Sequence, residues 1–285
     1  MKNILGRGTS AGLVAAALAA AALCSAPAAL AKTTTSSNWA GYAVHHPGVS
    51  FRQVSGTWTE PTASCTAGQS SYSAVWVGIG GFKPTSDALE QIGTEVDCNA
   101  GGNAVSSAWY ELVPAPSKSI SLAVLPGDVM HATVTVIGHH VTVVLENRTT
   151  HRTFRKSLNA PSIDVSSAEW IVEAPSECIS QFACQALPLA NFGSVNFNSA
   201  AATTTKGTVG SITAPRWWRT KIDLTPGTQK FIVARQTSDV AGSAAPSTLW
   251  AAGRDFDVTY ASVAAPGQQF ASTRQSRLRS AYIEH

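Results

Sequence analysis

The sequence predicts an all-β protein, a two-sheet antiparallel β-sandwich of jelly-roll or concanavalin-like form. Three observations predict it. Short runs rich in Val, Ile, Thr, Tyr and Trp recur between clusters of Gly, Pro, Ser and Asn, a composition that suits half-buried strands bounded by turns. Two of these runs, Val129–Ile137 and Val141–Asn147, are separated only by Gly138-His139-His140 and read as a hairpin. No segment sustains a helical apolar period with caps.

The elements follow in chain order. Residues 1–31 read as an export leader: Lys2 and Arg7 are basic, Ala11 to Ala22 is apolar, and Ala29-Leu30-Ala31 fits a small-x-small cleavage site. The apolar run is short and is broken by Pro27, so it does not read as a membrane span. Cys24 follows the bulky Leu23, where a lipid-attachment site wants a small residue. No later run of about 20 apolar residues exists, so a soluble protein, secreted after cleavage at Ala31, is expected. Residues 32–262 form the expected sandwich domain. Its strands are Val54–Thr59, Ser73–Ile79, Ala88–Gly93, Ala108–Val113, the hairpin pair, Ala168–Ala174 and Lys230–Gln236. The Ala/Thr-rich stretch Ala200–Thr208 reads as a loop. Residues 263–285, with Arg274, Arg277 and Arg279 and little apolar content, read as a flexible tail.

Charge excludes some partners. Only 13% of the chain is charged, and Lys+Arg 20 stands against Asp+Glu 17. Removing Lys2 and Arg7 with the leader brings the basic count to 18, a net of +1. That balance argues against a nucleic-acid partner and gives no electrostatic reason for membrane binding. A monomer is expected. Of the five cysteines, Cys65, Cys98, Cys178 and Cys184 remain after the leader. An even count in an exported chain suggests disulfides, and four cysteines allow three pairings. Proximity favours Cys178–Cys184, which leaves Cys65–Cys98. No CxxC or other metal-ligand spacing exists, and no cofactor is expected.

Two strand-like strings carry chemically useful side chains among apolar neighbours. In Ala168-Glu169-Trp170-Ile171-Val172-Glu173, alternation places Glu169, Ile171 and Glu173 on one face and Trp170 and Val172 on the other. In Ala88-Leu89-Glu90-Gln91-Ile92-Gly93, either Glu90 or Gln91 could be the polar actor. A carboxylate can take a proton from water and return it to a leaving amine. A glutamine amide donates hydrogen bonds at any pH, so it can hold an oxyanion without titrating. Together they could hydrolyse an amide bond.

Other catalytic templates fit poorly. Gly8-Thr9-Ser10-Ala11-Gly12 matches a nucleophile elbow but lies in the leader. His45-His46 and His139-His140 are adjacent pairs whose side chains would point to opposite strand faces, and no HExxH exists. Asn147-Arg148-Thr149 is a glycosylation sequon. A carbohydrate-active sandwich is the rival reading. Its acid pair cannot be Glu169 and Glu173, because four strand residues span about 13 Å, beyond the roughly 5–9.5 Å such pairs need.

Further strings stand around these two: Asn38-Trp39-Ala40-Gly41, Gly56-Thr57-Trp58-Thr59-Glu60-Pro61, Trp76-Val77-Gly78-Ile79-Gly80-Gly81, Ala108-Trp109-Tyr110-Glu111 and Leu145-Glu146-Asn147-Arg148-Thr149-Thr150. In this order and spacing the set resembles the eqolisins, the secreted glutamic peptidases, over roughly Ser36 to Asn198 and more weakly to Ser262. The resemblance implies a β-sandwich endopeptidase working at acidic pH without metal or cofactor. It implies Glu173 as general base and acid, Gln91 as oxyanion donor, Glu111 as a supporting glutamate, and Trp39 and Trp76 as cleft walls. A short-loop disulfide after the glutamate strand in the fungal members supports Cys178–Cys184. Two positions depart from the pattern: Ser107 and Gly80 stand where the family carries aspartates, which puts a strongly acidic optimum in doubt. Asn38-Trp39 follows the expected cleavage site by only seven residues, so no pro-segment is expected. A non-catalytic member of the fold is the remaining alternative.

Overall fold

The computed structural model describes residues 31–180, 183–225 and 242–263, with the backbone alone at Ala31, 178–180 and 183–185. The leader expected at 1–31, apart from Ala31, lies outside these residues. So do the expected strand Lys230–Gln236 and all of the expected tail but Val263. Every regular element among the described residues is a strand. In order these are β1 (Ala31–Ser36), β2 (Trp39–His45), β3 (Phe51–Thr59), β4 (Ser71–Gly80), β5 (Leu89–Cys98) and β6 (Ala104–Val113). There follow β7 (Lys118–Ile120), β8 (Val129–Ile137), β9 (His140–Asn147), β10 (Arg152–Asn159), β11 (Ser167–Glu173) and β12 (Ser176–Ser180). The last are β13 (Ala183–Ala186), β14 (Ser194–Thr204), β15 (Val209–Gly210), β16 (Trp218–Leu224), β17 (Gly242–Pro246) and β18 (Phe256–Ser262).

Hydrogen bonding runs continuously through β10-β9-β8-β3-β14-β18-β17-β16-β2-β11-β4-β5-β6-β7. The path folds over, so that β3, β8, β9 and β14 of the first half face β4, β5 and β11 of the second. An apolar core fills the space between, with Trp58, Met130, Leu145 and Phe197 from one layer meeting Val75, Val77, Ile92 and Trp170 from the other. Burying such side chains contributes about 1.5–3 kcal/mol each. The Trp58 indole N–H, deep in this core, donates to Thr94 Oγ1 at 3.0 Å, so its polar atom is not orphaned.

The expected hairpin is present as β8 and β9, paired antiparallel from Met130–Asn147 to Ile137–His140. One expectation is corrected. Ala200–Thr204 is not loop but the second half of β14, paired with β3 and β15. Ala200, Ala202, Thr203 and Thr204 are buried. Ser199 sits at φ 57, and the register to β3 shifts between Asn198 and Ala201. This bulge resets the alternation, so the sequence pattern does not announce a strand. The sequon is also resolved. Asn147 is fully buried and its amide donates to Asp128 Oδ2 at 2.7 Å and to Ala123 O at 3.1 Å, so it cannot carry a glycan in the folded chain.

Cys65 and Cys98 form a disulfide with Cα atoms 5.3 Å apart, tying the segment after β3 to the end of β5. Backbone pairing of β12 with β13 sets Cys178 opposite Cys184; their side chains lie outside the described atoms.

The N-terminal strand has an unusual seat. β16 pairs with β1 in parallel along Arg219–Leu224 and with β2 antiparallel along Trp218–Ile222. Because the same residues of β16 pair with both, β1 and β2 lie on its opposite edges. Ser37 and Asn38 therefore carry the chain across the end of β16, where Thr225 N donates to Ser36 O at 2.9 Å.

Candidate active site

The layer β16-β2-β11-β4-β5-β6 has one face on the core and one face away from it. Residues directly opposite across a ladder share a face, so the register generates rows on the outer side. Trp39, Glu173, Ala74, Glu95 and Ser107 form one row. Gly41, Ile171, Trp76, Gly93 and Trp109 form the next. Ala43, Glu169, Gly78, Gln91 and Glu111 form a third. Glu173, Gln91, Glu111, Trp39 and Trp76 thus all lie on one face. Glu90 alternates to the other side, opposite the core residues Ile79 and Leu112, and is fully buried. Of the adjacent pair, Gln91 is the side chain on the site face.

Glycines let these rows approach. A Cβ on Gly93 would stand 2.1 Å from Val75 O, and one on Gly41 would stand 2.0 Å from Trp170 O. No side chain fits at either place. The indole of Trp76 lies over Gly78, where a Cβ would stand 2.9 Å from its Cζ3, and Trp39 meets it edge-on at 5.0 Å between ring centroids.

Glu173 is held at both oxygens. Trp76 Nε1 donates to Oε2 at 2.8 Å, and Asn38 Nδ2 donates to Oε1 at 2.9 Å. Burial pushes the Glu173 carboxyl up to about 8; the Trp76 bond opposes this and the charge of Glu111 adds to it. Gln91 Nε2 donates to Glu111 Oε2 at 2.6 Å. Glu111 is itself raised by burial, with the Gln91 bond opposing. A carboxylate only accepts, so this contact fixes which end of the Gln91 side chain is the NH2 group. Gln91 Oε1 is buried without a hydrogen-bond partner.

Several residues here carry no assignment from the sequence. Asn38 stands in a quoted string, but no local pattern links it to Glu173, a residue 135 positions away. Glu95 shares Glu173's row and accepts from Ser107 Oγ at 2.6 Å. Ser107, where the family pattern has an aspartate, therefore still serves a carboxylate. Gly80 is a different case. At φ +89, a Cβ there would meet Asp164 O at 2.5 Å and Asp164 Cβ at 2.9 Å, so the room for an aspartate side chain is taken by Asp164. That carboxylate accepts from Ser86 Oγ at 2.6 Å, Ser166 N at 2.8 Å and Gly81 N at 3.3 Å. Burial pushes its pKa up, but these bonds win and hold it below the usual value. Glu169, on the site face, is fully buried and is raised well above the ordinary range by desolvation, with the Ser167 hydroxyl opposing. Among the described residues no group of His, Cys, Asp and Glu has the arrangement to hold a metal ion, and no helix is long and apolar enough to cross a membrane.

A sandwich whose outer sheet face gathers a glutamine, a tryptophan-held glutamate and a supporting glutamate defines a class of hydrolase, and comparison with known proteins agrees. The model of the Peptidase A4 family matches residues 37–244, and the chain belongs to that family. It is a glutamic endopeptidase. Its relatives include aspergillopepsin-2 of Aspergillus niger, 31% identical over an aligned length of 199, covering 61% of this chain and 67% of that one. Scytalidoglutamic peptidase, solved with a peptide-based transition-state analog, superposes with a TM-score of 0.61 at 26% identity, covering 79% of this chain and 98% of that chain. SCP-B, an eqolisin solved with the tripeptide Ala-Ile-His, gives 0.58 at 25% identity with the same coverage.

Proposed function

We propose that the chain is a secreted endopeptidase that hydrolyses peptide bonds in protein or peptide substrates through Glu173 and Gln91. Ionised Glu173 takes a proton from a water molecule, whose oxygen attacks the scissile carbonyl carbon. The carbonyl oxygen gains the negative charge and receives an N–H of Gln91. The tetrahedral species collapses, the C–N bond breaks, and the amine leaves with the proton held by Glu173. Glu111 occupies one of the two Gln91 Nε2 hydrogens and leaves the other for the oxyanion. Trp39 and Trp76 wall the cleft.

The observation that carries this reading is that Glu173, Gln91 and Glu111 share one sheet face, with Glu173 held by two donors and Gln91 by Glu111. The charge of Glu111 raises Glu173, so ionising Glu111 opposes ionising Glu173. Acidic working pH rests on the family pattern; the raised Glu173 and Glu111 carboxyls argue against a strongly acidic optimum, because a base works only when ionised. Secretion rests on the basic and alanine-rich leader, and the Cys65–Cys98 bond suits an oxidising compartment. A second bridge, Cys178–Cys184, is proposed on the strand register that faces the two residues. The reading takes 32–262 as the working domain and needs no cofactor, nucleic acid or membrane. It is that of a monomer.

Denatured casein turnover by the purified mature protein, followed from acidic to neutral pH, tests it. Glu173→Gln keeps size but cannot exchange the proton, and turnover should vanish while the fold persists. Gln91→Ala should cut kcat by about 10²–10³ with little change in KM. Near-normal proteolysis by Glu173→Gln beside a dead Glu111→Gln would move the base to Glu111.

A further inference from the structure

We propose that Asn38 is a positioning residue for Glu173, and that β1 and Ser36 exist in the site to aim it. The inference rests on Glu173 being the catalytic carboxylate. It adds a third side chain, from a different strand crossing, to the Glu/Gln pair.

Geometry carries it. Asn38 is buried at the turn where the chain passes over the end of β16. Its side chain is engaged at both ends. Oδ1 accepts from Ser36 Oγ at 3.1 Å, and Nδ2 donates to Glu173 Oε1 at 2.9 Å. A hydroxyl that donates to the oxygen end settles the amide's orientation, so the NH2 end faces the carboxylate. Ser36 is itself fully buried and fixed: its Oγ accepts from Trp39 N at 3.1 Å and Asn38 N at 3.3 Å. Ser36 O is taken by Thr225 N, and β1 is paired with β16 along its whole length. The chain of contact runs from an edge strand, through one hydroxyl, to one amide, to one carboxylate oxygen.

The consequence is chemical. Trp76 fixes Oε2 and Asn38 fixes Oε1, so the carboxyl plane cannot turn about its last bond without losing a donor. Both donors are neutral and cannot accept, so they favour the ionised form that a base requires. They act against the charge of Glu111 on β6; Glu95 on β5 and the buried Glu169 on β11 also share this face. Asn38 never has to touch substrate to do this. Without its amide the carboxylate is both looser and harder to ionise.

The test uses the mature protein and peptide hydrolysis measured as kcat and KM across pH, with Glu173→Gln alongside. Asn38→Ala should lower kcat about tenfold or more, leave KM near its original value, and move the acid limb of the profile upward by roughly one pH unit. Asn38→Asp is nearly isosteric and preserves packing. When ionised, the introduced carboxyl offers no donor and adds a charge. Activity should then survive only at the acid end, where that carboxyl is protonated. Ser36→Ala should shift the limb in the same direction as Asn38→Ala by less. If Asn38→Ala does not fold, Ser36→Ala decides, because it adds no charge and a purely structural contact would give a lowered melting temperature with an unshifted profile. Wild-type kcat and an unmoved acid limb in Asn38→Ala or Asn38→Asp would overturn the proposal. Should Glu173→Gln be inactive in the same experiment, the Glu173 assignment stands while Asn38 falls. Should Glu173→Gln be active, the assignment itself falls.

Discussion

β8 and β9 alternate buried and accessible side chains residue by residue, whereas β11 and most of β4 are buried on both faces. The two halves of the sandwich thus meet water differently. Thr142, Val144 and Glu146 of β9 stand outward, and the strand needs only one apolar face. In the other half the outward face is the site, and Trp39, Trp76, Trp109 and Ile171 cover it. Carboxyls placed in that half lose their water: Glu90 and Glu169 are fully buried. The difference teaches that the site sheet takes carboxyls out of water on both faces, Glu169 on the site side and Glu90 on the core side, whereas the β8–β9 sheet leaves its polar face wet.

Backbone crowding makes the largest contrast. Gly41→Ala in β2 would drive a methyl against Trp170 O, and neither strand can yield without breaking the β2–β11 ladder. It should cost about 4 kcal/mol or more and leave little folded protein. Gly138, at φ +59 in the β8–β9 turn, has nothing within 4 Å of a built Cβ. Gly138→Ala should cost only the left-handed backbone penalty of roughly 1–2 kcal/mol. Urea unfolding of the two variants checks this, and similar midpoints would erase the contrast.

The pH dependence of stability should divide the same way. Burial, with Asp164 adding to it, raises Glu90 from 4.5 to about 8. A carboxyl raised on folding binds its proton more tightly in the folded chain. Its contribution is complete below the unfolded value and is lost as pH climbs through the folded one. The melting temperature should therefore fall between about pH 4.5 and 8. Glu90→Gln keeps the shape without the titration, so it should flatten that fall and change little at about pH 4. A wild-type melting temperature that rises with pH over this window would contradict the reading of Glu90.

Legibility in the sequence follows the same division. The β8–β9 hairpin is readable to within one residue, β9 starting at His140 instead of Val141, because one face is wet and alternation survives. β11 and β5 are recognisable as strands, yet their chemistry is not readable from alternation alone, since Glu90 and Gln91 both sit in apolar surroundings. The neighbouring strings are needed to favour Gln91, and the register shows that Glu90 faces the core. The second half of β14 escapes the pattern because the bulge at Ser199 resets its period. Asn38 is invisible because its partner is set by a strand crossing, which no local pattern encodes. The fit of Asp164 against Gly80 is equally hidden.

The smallest expected effect lies on the wet sheet and sharpens the comparison from its other end. Arg148 Nε stands 3.6 Å from Glu146 Oε2, with side chains 48% and 40% exposed. An exposed pair of this kind is worth about 0–1 kcal/mol and is screened by salt, so Arg148→Ala should barely move the melting temperature. It should still be detectable at His131, whose ring bonds Thr57 Oγ1 at 2.8 Å. Burial lowers the His131 pKa first, and the positive charge of Arg148 lowers it further, against Glu146, which raises it. Removing the guanidinium leaves burial and Glu146, so the His131 pKa should rise. NMR titration of the His131 ring in the two proteins reads this directly, and the rise should shrink at high salt. A drop in melting temperature as large as that of Gly138→Ala would mean that the wet face carries more of the fold's stability than its exposure allows.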